Sequence, residues 1–259
     1  MAKKSKSLGT IDSIFSEMSK INPFATNDFG SVEVYKNNIW LDTGNWMLNA
    51  ALSGSIKKGA PGTKITGLAG ESGSGKTFIC MNIVKRVQEM GYMPIYYDTE
   101  GAIDSTSLVK FGIDISSGKF RYEPISDINK IKTSFAILIK NLTDIKLAGK
   151  EIPKIVLFID SMAMIASNKE IEDAKTGNDA ADMTRAKALR SFFRIVTSDL
   201  NSLGIPMIFT NHVGVNIGGY GDPVVQSGGG GVEFSPSVTL FLSKAKLKDS
   251  KKDEKRQTG

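Results

Sequence analysis

Apolar and polar positions follow one another along the chain in blocks that predict an α/β protein. Short runs are apolar throughout, as in strands buried on both faces, and they alternate with longer stretches that repeat apolar residues every three or four positions, as helices do. The predicted strands are 32–39, 64–69, 93–98, 120–122, 154–160, 206–212 and 238–242, and the predicted helices are 10–21, 45–52, 78–90, 105–111, 127–147 and 183–203. This alternation predicts a mostly parallel sheet flanked by helices.

Two stretches interrupt the pattern and predict long loops. Residues 167–182 are polar and charged, with Gly177-Asn178 as a breaker, and residues 213–231 are rich in glycine. A glycine-rich stretch of this length inside a compact domain is usually functional or disordered.

The first predicted helix is set apart from the rest of the chain. Its apolar residues Ile11, Ile14, Phe15, Met18 and Ile21 share one face, and a polar stretch through residue 30 follows the helix. Two interpretations are open, because this face can pack against a neighbouring molecule or against its own domain.

The strand at 64–69 leads into a phosphate-binding loop. Residues 70–77 read Gly-Glu-Ser-Gly-Ser-Gly-Lys-Thr and match the pattern G-x-x-x-x-G-K-[ST] at every fixed position, with a helix after them. Glycines let the backbone N–H groups face an anion, and the positive end of the helix adds to the field. The predicted nucleotide-binding residues are Gly70, Glu71, Ser72, Gly73, Ser74, Gly75, Lys76, Thr77 and Phe78, with Lys76 on the β and γ phosphates and Thr77 on Mg²⁺.

Polar residues also follow three other predicted strands, at the sheet edge where ligands bind in α/β proteins. Asp160 closes an apolar strand in the Walker B pattern, which predicts a carboxylate that holds Mg²⁺ through water. Glu100 is either the group that activates the attacking water or only a helix cap. His212, the one histidine, is either a turn residue or a reporter of the γ-phosphate.

Charge and composition narrow the possible partners. The 259 residues are 41% hydrophobic, which is enough for one large core, and the formal charge is +6. Residues 1–7 and 244–259 together carry a charge of +7, so the remainder is near neutral, and the two ends are predicted to be solvated, partly disordered tails. Any nucleic-acid contact must therefore lie in loops of the core.

The chain contains neither a long apolar run nor a signal peptide, so a soluble intracellular protein without a membrane partner is expected. Its single cysteine, Cys80, is predicted to be a small core residue.

Taken together, these stretches resemble the RecA-type recombinases, and most of all the UvsX recombinases of T-even-like bacteriophages. The resemblance spans roughly residues 40–245, and its most specific part is the helix entry at 183–196. The stretches that carry it are 70–77, 97–100, 156–161, 169–196, 205–212 and 228–231.

The resemblance implies a RecA-type ATPase core that uses ATP and Mg²⁺, with Glu100 and Lys76 as catalytic residues. It implies that Asp104 contacts the base and that His212 senses the γ-phosphate. Residues 167–182 and 213–227 are similar in position to the two DNA-binding loops of the family. The implied DNA contacts are Arg185, Lys187, Gly214, Gly218, Gly219 and Gly221.

The implied function is ATP-dependent polymerisation on single-stranded DNA, followed by pairing with homologous duplex DNA and strand exchange. The implied partners are both DNAs, other copies of the chain in a helical filament, a recombination mediator and a single-strand-binding protein. A phage-infected bacterial cytoplasm is the expected location. Two alternatives stay open: a replicative helicase of the same core fold, and a nucleotide-dependent recombination regulator that pairs no strands.

The sequence departs from the family in two places. Ser107 stands where the family commonly has a tyrosine that stacks on adenine, which puts base selectivity in doubt. The family also continues beyond the last predicted strand, so we expect the core to be incomplete at Gly259. The expected organisation is an oligomerisation helix and linker at 1–30, the ATPase and DNA-binding core at 31–243, and a basic tail at 244–259.

Overall fold

The computed structural model describes residues 11–22, 24–30, 32, 39–177, 184–215, 224–248 and 255–258. The helices are α1 (Ile11–Ile21), α2 (Trp46–Ser53), α3 (Lys76–Glu89), α4 (Ser105–Phe111), α5 (Ile128–Leu147), α6 (Asn168–Thr176), α7 (Thr184–Leu203) and α8 (Gly230–Phe234). The strands are β1 (Trp40–Leu41), β2 (Ala60–Pro61), β3 (Ile65–Gly70), β4 (Met93–Asp98), β5 (Arg121–Pro124), β6 (Ile155–Asp160), β7 (Met207–Val215), β8 (Val224–Gln226), β9 (Val238–Leu242), β10 (Ala245–Lys248) and β11 (Lys255–Thr258).

The central sheet has seven strands, six of which run parallel. Their order is β5-β4-β6-β7-β3-β9, and β8 pairs antiparallel with the end of β7. The predicted α/β fold with a mostly parallel sheet is therefore confirmed.

Helices cover both faces of the sheet, and successive strand residues point to opposite faces. On β4, Tyr97 packs with α5 and α7, whereas Tyr96 packs with α3. The α5–α7 side contains a run of aromatic rings in contact, from Tyr97 through Phe135, Phe192 and Phe193 to Phe209. Cys80 is fully buried on the α3 side, which confirms it as a core residue.

The predicted N-terminal helix is present as α1, and none of its residues is buried. Phe15 is 37% exposed and Ile21 88% exposed, so the apolar face is not covered by the part of the chain that the structure describes. Docking on its own domain is thus not observed. None of the described helices is both long and apolar enough to cross a membrane.

The long loop predicted at 167–182 is wrong over its first half, where α6 forms. The Ser167 hydroxyl accepts the Glu170 N–H and the Glu170 carboxylate accepts the Ser167 N–H, which makes a capping box. Gly177 ends the helix in the left-handed conformation, with a φ of 70°. Residues 178–182 lie outside the described residues.

The glycine-rich stretch is only partly a loop. Strand β7 continues to Val215 and pairs with β8, and α8 follows. A Cβ on Gly231 would lie 2.5 Å from the Cα of Arg190, so the glycine lets α8 lie directly on α7. Of the predicted DNA contacts, Gly218, Gly219 and Gly221 lie outside the described residues.

The basic C-terminal end is not a disordered tail where the structure describes it. Strands β10 and β11 pair antiparallel, from Ala245 with Thr258 to Lys248 with Lys255. The strand predicted at 32–39 lies largely outside the described residues, as does the basic N-terminal end, 1–7.

Candidate nucleotide-binding site

The register of the sheet brings the predicted site residues to one edge. Gly70 at the end of β3 pairs with His212 on β7, and Asp98 at the end of β4 pairs with Asp160 at the end of β6. Because these strands are parallel and adjacent, the phosphate loop and all three polar strand ends meet at the carboxyl edge of the sheet.

Lys76 lies inside the phosphate loop. Its ammonium donates to the carbonyl oxygens of Gly70 at 2.9 Å and Glu71 at 2.8 Å, and only 6% of the residue is exposed. Burial lowers the pKa of Lys76, and the negative charges of Asp160 and Glu100 oppose that shift. The lysine is therefore fixed within the loop, next to both carboxylates.

The start of α3 suits an anion. Gly75 precedes the helix with a φ of 92°, and no side chain caps its first N–H groups. The buried Ser74 hydroxyl has no hydrogen-bond partner among the described residues. Uncapped N–H groups and an orphaned hydroxyl around a buried ammonium fit a phosphate group.

Asp160 accepts three hydroxyl hydrogen bonds. Thr77 Oγ1 donates to Oδ2 at 2.7 Å, Tyr96 donates to the same oxygen at 2.8 Å, and Thr210 donates to Oδ1. Burial raises the pKa of the Tyr96 phenol, and the Asp160 charge adds to the effect, so Tyr96 stays a donor.

This arrangement fits Mg²⁺. The Thr77 hydroxyl and the Asp160 carboxylate offer neighbouring oxygens, and Mg²⁺ usually takes one or two protein oxygens and completes its shell with water and substrate phosphates. Within the described ranges, no group of three or more His, Cys, Asp or Glu side chains offers a metal site made of protein alone.

Glu100 is held by two polar neighbours. Its Oε1 accepts the Ser161 hydroxyl at 2.5 Å and lies 3.0 Å from His212 Nε2. Asp104, and not Glu100, caps α4, so the interpretation of Glu100 as a helix cap is wrong. The peptide between Asp160 and Ser161 is cis.

Asp98 positions the segment that carries Glu100, a role that no pattern in the sequence indicates. Its Oδ1 accepts the N–H groups of Glu100 at 3.1 Å and Gly101 at 2.8 Å, and its Oδ2 accepts the Tyr122 hydroxyl at 2.9 Å. The contribution of Thr210 was also missed, because only the register of β6 and β7 reveals it.

Two further predicted nucleotide contacts lie at α3 and α4: Phe78 on α3, and Asp104, the predicted base contact, at the N-cap of α4. Asp104 accepts both the N–H of Ser107 at 2.9 Å and its hydroxyl at 2.6 Å, and these bonds lower the pKa of the Asp104 carboxyl. Phe78 is 59% exposed, and its ring meets Phe111 edge to face at 5.2 Å. The contact of Asp104 with a base and that of Phe78 with the nucleotide stay predictions.

Three of the predicted DNA contacts lie among the described residues, and one of them already binds the protein backbone. Arg185 donates to the carbonyl oxygens of Met162 and Ala163 and so fixes the turn after β6. Lys187 and Gly214 are exposed, Lys187 on α7 and Gly214 on β7. Their contact with DNA stays a prediction.

A mostly parallel sheet that carries a phosphate loop and two carboxylates at one edge defines a P-loop protein. A family model of the RecA N-terminal domain matches residues 7–258, so the chain belongs to this family and the resemblance noted in the sequence is confirmed.

Several relatives are similar over most of the chain. The "Recombination and repair protein" of Enterobacteria phage T4 is 32% identical over 205 residues, which are 78% of this chain and 50% of that protein. "Protein RecA" of Nautilia profundicola is 27% identical over 226 residues, 82% of this chain and 57% of that protein. The chain thus spans about half the length of these curated relatives.

Proposed function

We propose that this chain is an ATP-dependent recombinase that polymerises on single-stranded DNA and promotes homologous pairing and strand exchange. Family membership supports this proposal. The observation that carries it is the grouping of Lys76, Asp160 and Glu100 at one sheet edge, with Glu100 in contact with His212 on the strand that leads towards the glycine-rich loop.

The side chains at this edge can perform phosphoryl transfer to water. Lys76 places a positive charge on the β and γ phosphates, and Thr77 and Asp160 would hold Mg²⁺. When bound, Mg²⁺ neutralises charge that develops on the phosphates. Ser161 and His212 both contact Oε1 of Glu100, which leaves Oε2 as the oxygen to take a proton from water.

The same geometry supports coupling between nucleotide and DNA. His212 contacts Glu100 through its side chain, and its carbonyl accepts the N–H of Ser227 at 2.9 Å. Asn211, the preceding residue, donates to the Gln226 side chain at 3.2 Å. Both ends of the stretch proposed to touch DNA are thus held by hydrogen bonds next to Glu100. A movement of His212 in response to the γ-phosphate would therefore be transmitted to the loop.

Three measurements test the proposal. We expect single-stranded DNA to stimulate ATP hydrolysis, electron microscopy with DNA and ATPγS to show open filaments, and the protein to exchange homologous strands. Closed rings that translocate would indicate a helicase instead. Nucleotide-dependent DNA binding without strand exchange would indicate a regulator.

Self-assembly is proposed to use α1, and Phe15→Ala tests this. Removing a buried interface aromatic costs about 2–4 kcal/mol, enough to lose most of a contact at micromolar concentration. We expect shorter or no filaments by light scattering, with an unchanged unfolding midpoint.

Ser16→Ala is the matched control for Phe15→Ala, because Ser16 lies on the opposite face of α1 from the apolar residues. We expect its filaments to equal those of the wild type. Unchanged filaments of Phe15→Ala would show that α1 does not join the subunits.

Asp98→Asn should slow hydrolysis by about tenfold or more while nucleotide affinity is kept, because a displaced Glu100 is poorly aimed at water. The amide lacks the charge that strengthens the bonds from the N–H groups of Glu100 and Gly101, and its NH2 group replaces the acceptor of the Tyr122 hydroxyl. Steady-state ATPase and calorimetric titration measure the two quantities separately.

Asp114→Asn serves as the control for Asp98→Asn, since Asp114 is exposed and hydrogen-bonds Ser116 instead of the Glu100 segment. Equal rates for Asp98→Asn and Asp114→Asn would mean that Asp98 does not position Glu100.

A further inference from the structure

The strand at the edge of the sheet directs the chain past the phosphate loop. Strand β9 pairs in parallel with β3, and Leu242 lies opposite Gly70. The two backbones are close there, because a Cβ on Gly70 would lie 2.7 Å from the Leu242 carbonyl oxygen. The residues after Leu242 must therefore run beside the loop that starts at Gly70.

Lys244 is the residue that this path brings to the loop. Its Nζ lies 3.3 Å, and its Cε 3.6 Å, from the point that a Cβ on Gly73 would occupy. Gly73 has a φ of 72°, so glycine both permits the turn and leaves room for the lysine. Lys244 itself is exposed.

Lys76 and Lys244 place two ammonium groups at the same loop. Lys76 binds the carbonyl oxygens of Gly70 and Glu71, and Lys244 lies beside Gly73. Two ammonium groups close enough to affect one another are unfavourable unless an anion lies near both. The lysines flank a loop whose helix has uncapped N–H groups, so a multiply charged phosphate would relieve the repulsion.

The order of residues in the loop indicates which phosphate Lys244 would contact. Asp104, the predicted base contact, caps α4, and Phe78, a predicted nucleotide contact, lies on α3, so this is the end of the site where the base is expected. The phosphates would run from there back along the loop, so the phosphate furthest from the base is the one nearest Gly73. That phosphate is the terminal one of a nucleoside triphosphate.

We propose that Lys244 is a second phosphate-binding lysine, which contacts the terminal phosphate of a nucleoside triphosphate bound to the loop of the same chain. This inference rests on the proposed nucleotide binding and adds a residue that favours triphosphate over diphosphate. A charge-assisted contact to the terminal phosphate is lost when that phosphate has left.

Calorimetric titration of Lys244→Ala with Mg²⁺–ATPγS and with Mg²⁺–ADP tests the proposal. We expect the dissociation constant for ATPγS to rise about tenfold. The constant for ADP should change by no more than about twofold, since the nearest phosphate is absent. Lys244→Arg keeps the charge and should bind both nucleotides as the wild type does.

Two controls accompany the titrations. Lys154→Ala removes an equal charge at the opposite edge of the sheet, just before β6, and should change neither affinity. Nucleotide-free Lys244→Ala should unfold at the same temperature as the wild type or higher, because the repulsion with Lys76 is gone.

Three outcomes would overturn the assignment of Lys244: an unchanged affinity for ATPγS, an equal loss for both nucleotides, or a loss confined to single-stranded DNA binding. The last would place Lys244 on a DNA surface. If the wild-type protein binds neither nucleotide, the proposed function is wrong, and Lys244 has no phosphate to contact.

Discussion

Replacing Lys76 with alanine should raise the dissociation constant for Mg²⁺–ATP by about a hundredfold, because the phosphates lose a charged donor in a partly dehydrated site. Lys76 and Lys244 lie at different places on the loop. The ammonium lies inside the loop, fixed by the carbonyl oxygens of Gly70 and Glu71, whereas Lys244 approaches from the β9 side. Calorimetric titration measures the loss directly.

The variant should remain folded. Lys76 is the first residue of α3, where alanine is well tolerated, and removing a buried ammonium also removes the cost of its desolvation. Lys85→Ala, on the same helix but beside Gly112, is the matched control and should bind ATP normally. A folded Lys76→Ala protein with wild-type affinity would refute the assignment of the phosphate loop.

The features that could be predicted from sequence are those encoded by neighbouring residues. The loop at 70–77 is a contiguous pattern, and the apolar run before Asp160 is recognisable without knowing what it pairs with. Helix caps are also local, and the structure confirms α4 and α5 close to their predicted bounds. The capping box of Ser167 and Glu170 also joins residues that are close in sequence, so this pair predicts the start of α6.

What could not be predicted depends on the register between strands. The sequence does not say that Asp98 lies opposite Asp160 or that Thr210 reaches the same carboxylate. Nor does it place Lys244 beside Gly73, since that contact follows from the pairing of β9 with β3, which are separated by more than 150 residues. Local patterns therefore identified the loop and its carboxylates, and the sheet supplied the residues that position them.

The paired strands β10 and β11 formed where the charge pattern had predicted a tail without regular structure. Charge alone predicted a solvated tail, because seven basic and three acidic residues fall within 244–259. The backbone groups of these strands nevertheless pair antiparallel. A high density of charge therefore does not exclude regular backbone pairing in this segment.

Glu100→Gln should separate nucleotide binding from hydrolysis. The amide preserves the shape and can keep an acceptor oxygen towards Ser161, but it cannot take a proton from water. We expect hydrolysis stimulated by single-stranded DNA to fall by about a hundredfold or more, while ATP-dependent DNA binding persists. Steady-state ATPase and fluorescence anisotropy with a labelled oligonucleotide measure the two properties.

The contact between Glu100 and His212 allows a catalytic role of Glu100 to be distinguished from a structural one. The amide oxygen of Glu100→Gln binds His212 less strongly than the carboxylate does. If Glu100 only holds β7 in place through His212, the substitution should therefore weaken DNA binding. A catalytic Glu100 instead gives slow hydrolysis with DNA binding retained. Glu151→Gln, at the opposite edge of the sheet before β6, should change neither property. Turnover of Glu100→Gln close to that of Glu151→Gln would show that another group activates the water.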